Sequence, residues 1–392
     1  RLKTPVEFIR IAFKTQLGAS YCIKREAKVM QILPEHSANP SPRSIRVFAD
    51  ASTRCRRLSG PERPNTRKVL TIVARLPIPT PASSQASADV LASGQSFRFS
   101  DTQNQQRPRL EGRAQGELLD AALLDPLPPE RREAGAQWLR EARRTVLAEP
   151  HRYGWAPGGR ISAFADEDPF AEHSALLHLI AQRADADALA GEFARGVVSR
   201  HELSLEDFGG RSHREAVSRV EETRGPGILP EAAQAGHRLI AGGVDIVLVS
   251  NSGGDKLARW FTHAGMANAP HPTTPPDGLR LRGHAGKFIL DESRADLLEL
   301  GALTIDVARP RYEAVLREEA PDAVVGDVFS IDLALPLVLK RREPSWRHVR
   351  LFWLTHDYAP ERMMREIAEH AGGEVEMVSD GLPGVARALL GH

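Results

Sequence analysis

Hydrophobic and polar positions follow two different periods along this chain, and the change of period divides it. Residues 128–147 open on a Pro-Pro pair and place Ala134, Trp138, Leu139 and Ala142 at helical spacing, which predicts a helix. A turn with the sequence Gly-Trp-Ala-Pro-Gly-Gly (154–159) follows, then a short apolar run, Ile161–Ala165, that reads as a strand. From 171 to 242 the pattern is helical throughout. Leu176, Leu177 and Ile180 share one face, Leu189, Phe193 and Val197 a second, and Ala216, Val217 and Val220 a third, while Ala233–Ile240 marks a fourth helix.

Beyond 243 short apolar runs alternate with helical segments. Ile246–Val249, Ala302–Ile305, Ala323–Val325, Val349–Leu354 and Val375–Val378 read as strands. Lys256–His263, Tyr312–Glu318, Leu333–Leu339, Glu361–His370 and Val385–Leu390 read as helices. Strands that are apolar along their whole length, each followed by a helix, predict an α/β fold with a Rossmann-like parallel sheet covered on both faces. The expected divisions are 108–170 for a lead-in helix and first core strand, 171–242 for a helical segment, and 243–392 for the rest of the core.

Composition changes this picture mainly at the N-terminus. The 392 residues are 41% hydrophobic and 26% charged, ordinary values for a globular chain long enough for two domains. The formal charge of +1 hides an asymmetry: residues 1–100 carry 17 basic and 6 acidic side chains, and the remainder 35 basic and 45 acidic. Residues 79–107 are rich in Ser, Gln, Pro and Ala, so 1–107 is expected to be a basic, mostly disordered extension. Its charge invites nucleic acid, but it lacks the interleaved aromatic and basic residues that base stacking requires. Both cysteines, Cys22 and Cys55, fall in that region, which leaves no cysteine nucleophile or zinc ribbon in the main body and suits a reducing, cytoplasmic setting. No run is long and apolar enough to span a membrane. Nothing in the sequence sets an oligomeric state.

In an open parallel sheet, ligands sit beyond the carboxyl ends of the strands. The residues just past the expected strands are Asp166 and Asp168, Ser250 and Asn251, Asp306 with Arg309-Pro310, and Asp327 with Asp332. Acids, a hydroxyl and a cation at one sheet edge are the groups that phosphoryl transfer uses. Glycine is present in Ser250-Asn251-Ser252-Gly253-Gly254, but neither G-x4-G-K-[ST] nor G-x-G-x-x-G occurs there, which argues against ATP or NAD.

The order of these groups resembles the haloacid dehalogenase-like (HAD) hydrolase superfamily over roughly residues 160–390. Val324-Val325-Gly326-Asp327-Val328-Phe329-Ser330-Ile331-Asp332 is similar to its fourth motif, an apolar strand ending in G-D-x4-D. Ile246–Asn251 is similar to its strand ending in Thr/Ser-Asn, Arg309-Pro310 to its Lys-Pro, and Ile161–Asp168 to its strand followed by D-x-D. Pro169 and Phe170 depart from the Gly and Thr that commonly follow the first motif, and Arg309 replaces lysine, with Lys287 as an alternative ammonium.

The resemblance implies a helical cap inserted at 171–242. It also implies a Mg²⁺-dependent hydrolase acting on a small phosphorylated metabolite through an aspartyl-phosphate. In that scheme Asp166 is the nucleophile and Asp168 the general acid and base. Asp166, Asp168, Asp327 and Asp332 form the metal set, and Ser250, Asn251 and Arg309 or Lys287 hold the phosphoryl oxygens. Hydrolytic dehalogenation and ligand binding without catalysis are the alternatives.

Overall fold

The computed structural model describes residues 68–73, 106–225, 228–273, 275, 277–355 and 359–391. The chain divides into two compact units, Arg1–Thr66 and Arg67–His392, and the described residues belong to the second.

Its sheet has seven strands: β1 (Lys68–Val73), β4 (Val244–Val249), β5 (Asn268–Pro270), β6 (Leu279–Arg282), β9 (Ala323–Gly326), β10 (Arg350–Leu354) and β11 (Val375–Val378). The order is β11-β10-β9-β1-β4-β6-β5 and every pair is parallel. Two short antiparallel pairs lie apart from it: β2 (Gly154–Trp155) with β3 (Ala163–Phe164), and β7 (Leu297–Leu300) with β8 (Leu303–Asp306). The α/β class with a parallel sheet is therefore as the periodicity predicts.

Both sheet faces are covered. On one, Val247, Val249, Val324, Leu351 and Trp353 pack with Tyr312 and Leu316 of α8 (Pro310–Glu319), with α10 (Ala334–Arg342) and with α11 (Glu361–His370). On the other, Ile246, Leu248, Val325 and Phe352 pack with α6 (Pro230–Ala241), α7 (Gly254–His263) and α12 (Gly381–Leu390). A separate helical body comprises α1 (Gln106–Leu124), α2 (Pro129–Ala148), α3 (Pro169–Arg183), α4 (Ala188–His201) and α5 (Leu205–Arg224) around Leu119, Leu139, Leu176, Ile180 and Phe193. Local chemistry starts each helix: Pro129 and Pro169 stand at first positions, while the Asp187 carboxylate and Ser204 hydroxyl accept the opening N–H groups of α4 and α5. Because α6 shares the sheet's core with α12, the helical body ends at Arg224, ahead of residue 242.

Three elements differ from the sequence expectation. Lys68–Val73 lies within the segment expected to be disordered, yet it forms the middle strand of the sheet; the other residues before Gln106 are outside the described set. Ile161–Ala165 contributes only Ala163–Phe164, which is bonded back to the preceding turn: Ser162 N–H donates to the Trp155 carbonyl at 2.7 Å and Ala165 N–H to that of Tyr153 at 3.2 Å. Gly154 permits this close return, since a Cβ there would stand 2.1 Å from the Ala163 carbonyl oxygen. Ala302–Ile305 belongs to the β7–β8 hairpin, turned tightly at Gly301 with φ 55°.

Candidate functional site

β4 flanks β1 on one side and β9 on the other, so the strand order reverses at β1, which makes its carboxyl end the switch point of the sheet. Ile72 is level with Leu248 and Val325, and Val73 is level with Gly326, the residue before Asp327.

On the β4 side, Ser250 is buried. Its N–H donates to the Arg282 carbonyl at 2.9 Å, its carbonyl accepts from Ala285 N–H at 2.9 Å, and its hydroxyl accepts from Ser252 N–H at 3.1 Å. Asn251 Oδ1 accepts the Lys287 N–H at 2.9 Å. The chain then enters α7, whose first amides have no side-chain cap. On the β9 side, Asp332 Oδ1 receives the Lys287 ammonium at 2.7 Å, and Oδ2 receives the Asp327 and Val328 N–H groups at 3.2 Å each. Gly326 is required by the turn: a Cβ there would lie 2.4 Å from the Asp332 Cβ. Tyr312 O–H donates to the Asp332 carbonyl and Trp353 Nε1–H to that of Asp327, at 2.8 and 3.0 Å. The structure thus brings together Ser250, Asn251, Lys287, Asp327 and Asp332.

Burial pushes the Asp327 carboxyl well above its ordinary range, and the neighbouring Asp332 charge pushes it further, against the pull of Lys287. Tyr312 is likewise raised by burial.

Asp166 and Asp168 do not join this group as ligands. Asp166 is held by Arg362 in a two-pronged pair, Nε and NH2 each 2.7 Å from a carboxylate oxygen. Asp168 caps α3, accepting Phe170 N–H at 2.8 Å, and its charge acts on Asp327. The residue between them makes the closer connection. Glu167 is 2% exposed; its carboxylate accepts Phe164 N–H and Ser330 N–H at 2.9 Å and the Ser330 hydroxyl, and Ser330 lies between Asp327 and Asp332. Burial raises Glu167 to about 7, despite the opposing hydrogen bonds from Ser330 and Phe164. Three consecutive acids give no period, so the sequence does not mark the middle one as the buried one.

Arg309 is fully buried and bonded into the framework. NH1 donates to Ser162 Oγ at 2.7 Å and to the Lys287 carbonyl at 2.6 Å, and NH2 to the Ser162 carbonyl at 2.8 Å. Desolvation lowers its pKa to about 10. Of the two cations considered for the site, Lys287 is the one among the acids.

The four acids expected to bind Mg²⁺ do not fit that role as a set. Asp166 is committed to Arg362, Asp168 to a helix cap, and both oxygens of Asp332 to Lys287 and backbone amides. Among the described residues, no three His, Cys, Asp or Glu side chains gather so as to hold a metal ion. Nor is any helix among them long and apolar enough to cross a membrane.

No family profile matches this chain, and no curated protein matches it. Among solved structures, a 2-haloacid dehalogenase from Pseudomonas syringae pv. Tomato DC3000 is similar at 13% identity, with 74% of this chain and 86% of that chain covered and a TM-score of 0.28.

Proposed function

We propose that this protein is a HAD-like α/β binding protein that captures a small oxyanion of the phosphate type at the switch point of its sheet and does not turn it over through an aspartyl intermediate. The observation that carries this reading is the central strand. Lys68-Val-Leu-Thr-Ile-Val73 runs between β4 and β9 to the ligand edge, and the chain has no acid between Glu62 and Asp89. Aspartyl-phosphate chemistry needs a carboxylate in line with phosphorus at that point. Asp166, the acid the resemblance nominates, is bound to Arg362.

Capture itself is supported by the strand–loop–helix from β4 to α7. Uncapped amides at a helix N-terminus attract oxyanions, and the Ser250 hydroxyl and the loop carrying Lys287 stand beside them. A phosphoryl group is one source of such an anion, and sulfate shares its geometry.

Titration calorimetry with sulfate and phosphate tests binding, and Ser250→Ala is expected to weaken it by about tenfold, the value of one hydrogen bond to a charged group. A panel of phosphomonoesters with Mg²⁺ is expected to give no turnover. Metal-dependent hydrolysis abolished by EDTA would restore the phosphatase reading, and failure to bind either anion would remove the capture reading.

A further inference from the structure

One charged cluster lies outside the strand-end acids. His271, the residue after β5, faces Arg280 and Arg282 of β6 and the consecutive acids Glu318 and Glu319 of α8. Arg282 NH2 is 2.7 Å from His271 Nε2. The same Nε2 is 3.0 Å from Glu318 Oε1, and Nδ1 is 3.2 Å from Glu319 Oε1. Arg280 reaches Glu319 at 3.1 Å, and Arg282 touches both acids. The Glu319 side chain is 2% exposed and Arg282 12%, while Glu318, at 56%, stands at the solvent edge of the cluster.

Arginine nitrogens only donate, so an Nε2 that takes the Arg282 bond is an acceptor, and the proton of the neutral ring then sits on Nδ1, 3.2 Å from Glu319 Oε1 but without a hydrogen bond to it. A second proton has to go to Nε2. Two donors then confront each other across 2.7 Å, and the new N–H has one acceptor within reach, the Glu318 oxygen that Arg282 already holds. The bond from Arg282 to His271 and the bond from His271 to Glu318 therefore exclude each other. The hydrogen bond from Arg282 holds the Glu318 carboxyl below its usual range.

Arg282 is also the last residue of β6. Its carbonyl receives Ser250 N–H; two residues on, His284 N–H donates to the Ser252 carbonyl at 3.0 Å. Gly283 leaves no slack between them, since a Cβ there would stand 2.5 Å from Gly254 N. Whatever moves Arg282 moves the Ser250 loop and the segment leading to Lys287.

We infer that His271 is a proton-operated positioning residue for the loops that carry Ser250 and Lys287, so that anion capture weakens when its ring is protonated. This rests on reading those loops as the ligand site. Imidazole is the side chain that ordinarily gains its proton between pH 8 and pH 5.

The test uses the full chain without ligand. Backbone amide resonances of Ser250, Asn251, Ser252 and Lys287 are followed from pH 8 to pH 5 alongside the His271 ring. They are expected to shift together with the ring's midpoint, and the shared step is expected to vanish in His271→Gln. Glu318→Gln, at a partly exposed position, is expected to lower the midpoint by removing the acceptor of the second proton. Sulfate, whose charge is constant over this range, is expected to bind about tenfold more weakly at the acid end in the parent and nearly equally at both ends in His271→Gln. Amides that ignore the ring, or a step that survives in His271→Gln, would overturn the inference. Amides that follow the ring in a protein that binds no sulfate would uphold the coupling and overturn the capture reading instead.

Discussion

Thr71 and Asp332 are buried polar side chains in the same sheet region with opposite circumstances. Both Asp332 oxygens are bonded, whereas the Thr71 hydroxyl is fully buried with no hydrogen-bond partner. Its strand neighbours Val247 and Val324 lie in an apolar core. An unpaired buried hydroxyl costs about 1 kcal/mol or more, so Thr71→Val is expected to raise the chemical denaturation midpoint by about that amount of stability. A lower midpoint would mean that the hydroxyl has a partner. Lys287→Met should do the reverse. It leaves the Asp332 carboxylate buried and without its cation, with an expected loss of about 3 kcal/mol in the same measurement. Asp327 was legible in the sequence because it follows an apolar run that ends abruptly, whereas Asp332 and Lys287 were reached through the resemblance. Arg309 looked equally exposed to ligand there; only the Ser162 and Lys287 acceptors reveal it as a clamp.

Among elements, β1 decides most. Removing residues 1–107 deletes it and separates β4 from β9, so this truncation is expected to lose its cooperative melt or become insoluble. A soluble truncated protein with the parent's melting transition would show the strand to be dispensable. Most helices and strands were legible because each presents a sustained period or a closed apolar run, but α1 was not read from the sequence. β1 was not, because six residues with one leading lysine sit among proline-rich and basic neighbours, and nothing local signals that two distant strands will flank them. Ile161–Ala165 misled for the converse reason: a five-residue apolar run looks the same whether it enters a sheet or folds back on its own turn.

Glu167 ties that turn to the segment holding Asp327 and Asp332. Its pKa is about 7 in the folded chain against 4.5 as the ordinary value, so folding takes up a proton between them. The sign follows: this group's contribution is fully present below pH 4.5 and is lost as pH rises through about 7. The total is on the order of 3 kcal/mol. Denaturant titrations across that window should show stability falling with pH in the parent and a flatter profile in Glu167→Gln. An unchanged slope would place the titration elsewhere.

At the scale of the whole molecule, several groups join the helical body and its turn to the sheet. Arg362 grips Asp166, Glu167 grips Ser330, and Ala163 and Ala171 pack on Val328 and Ile331. These contacts converge on the switch point, which couples the position of the helices to the ligand edge.

The placement of β1 also sets an order in time. Lys68 pairs with Val244 and Leu70 with Ala323, so β1 leaves the ribosome well ahead of both its partners. At ordinary synthesis rates the wait is on the order of ten seconds or more. Until then β1 offers a bare backbone edge on either side. A nascent chain in that condition invites strand exchange with its neighbours on a polysome, and its yield in the cell should rise with chaperone supply far more than its final stability would suggest.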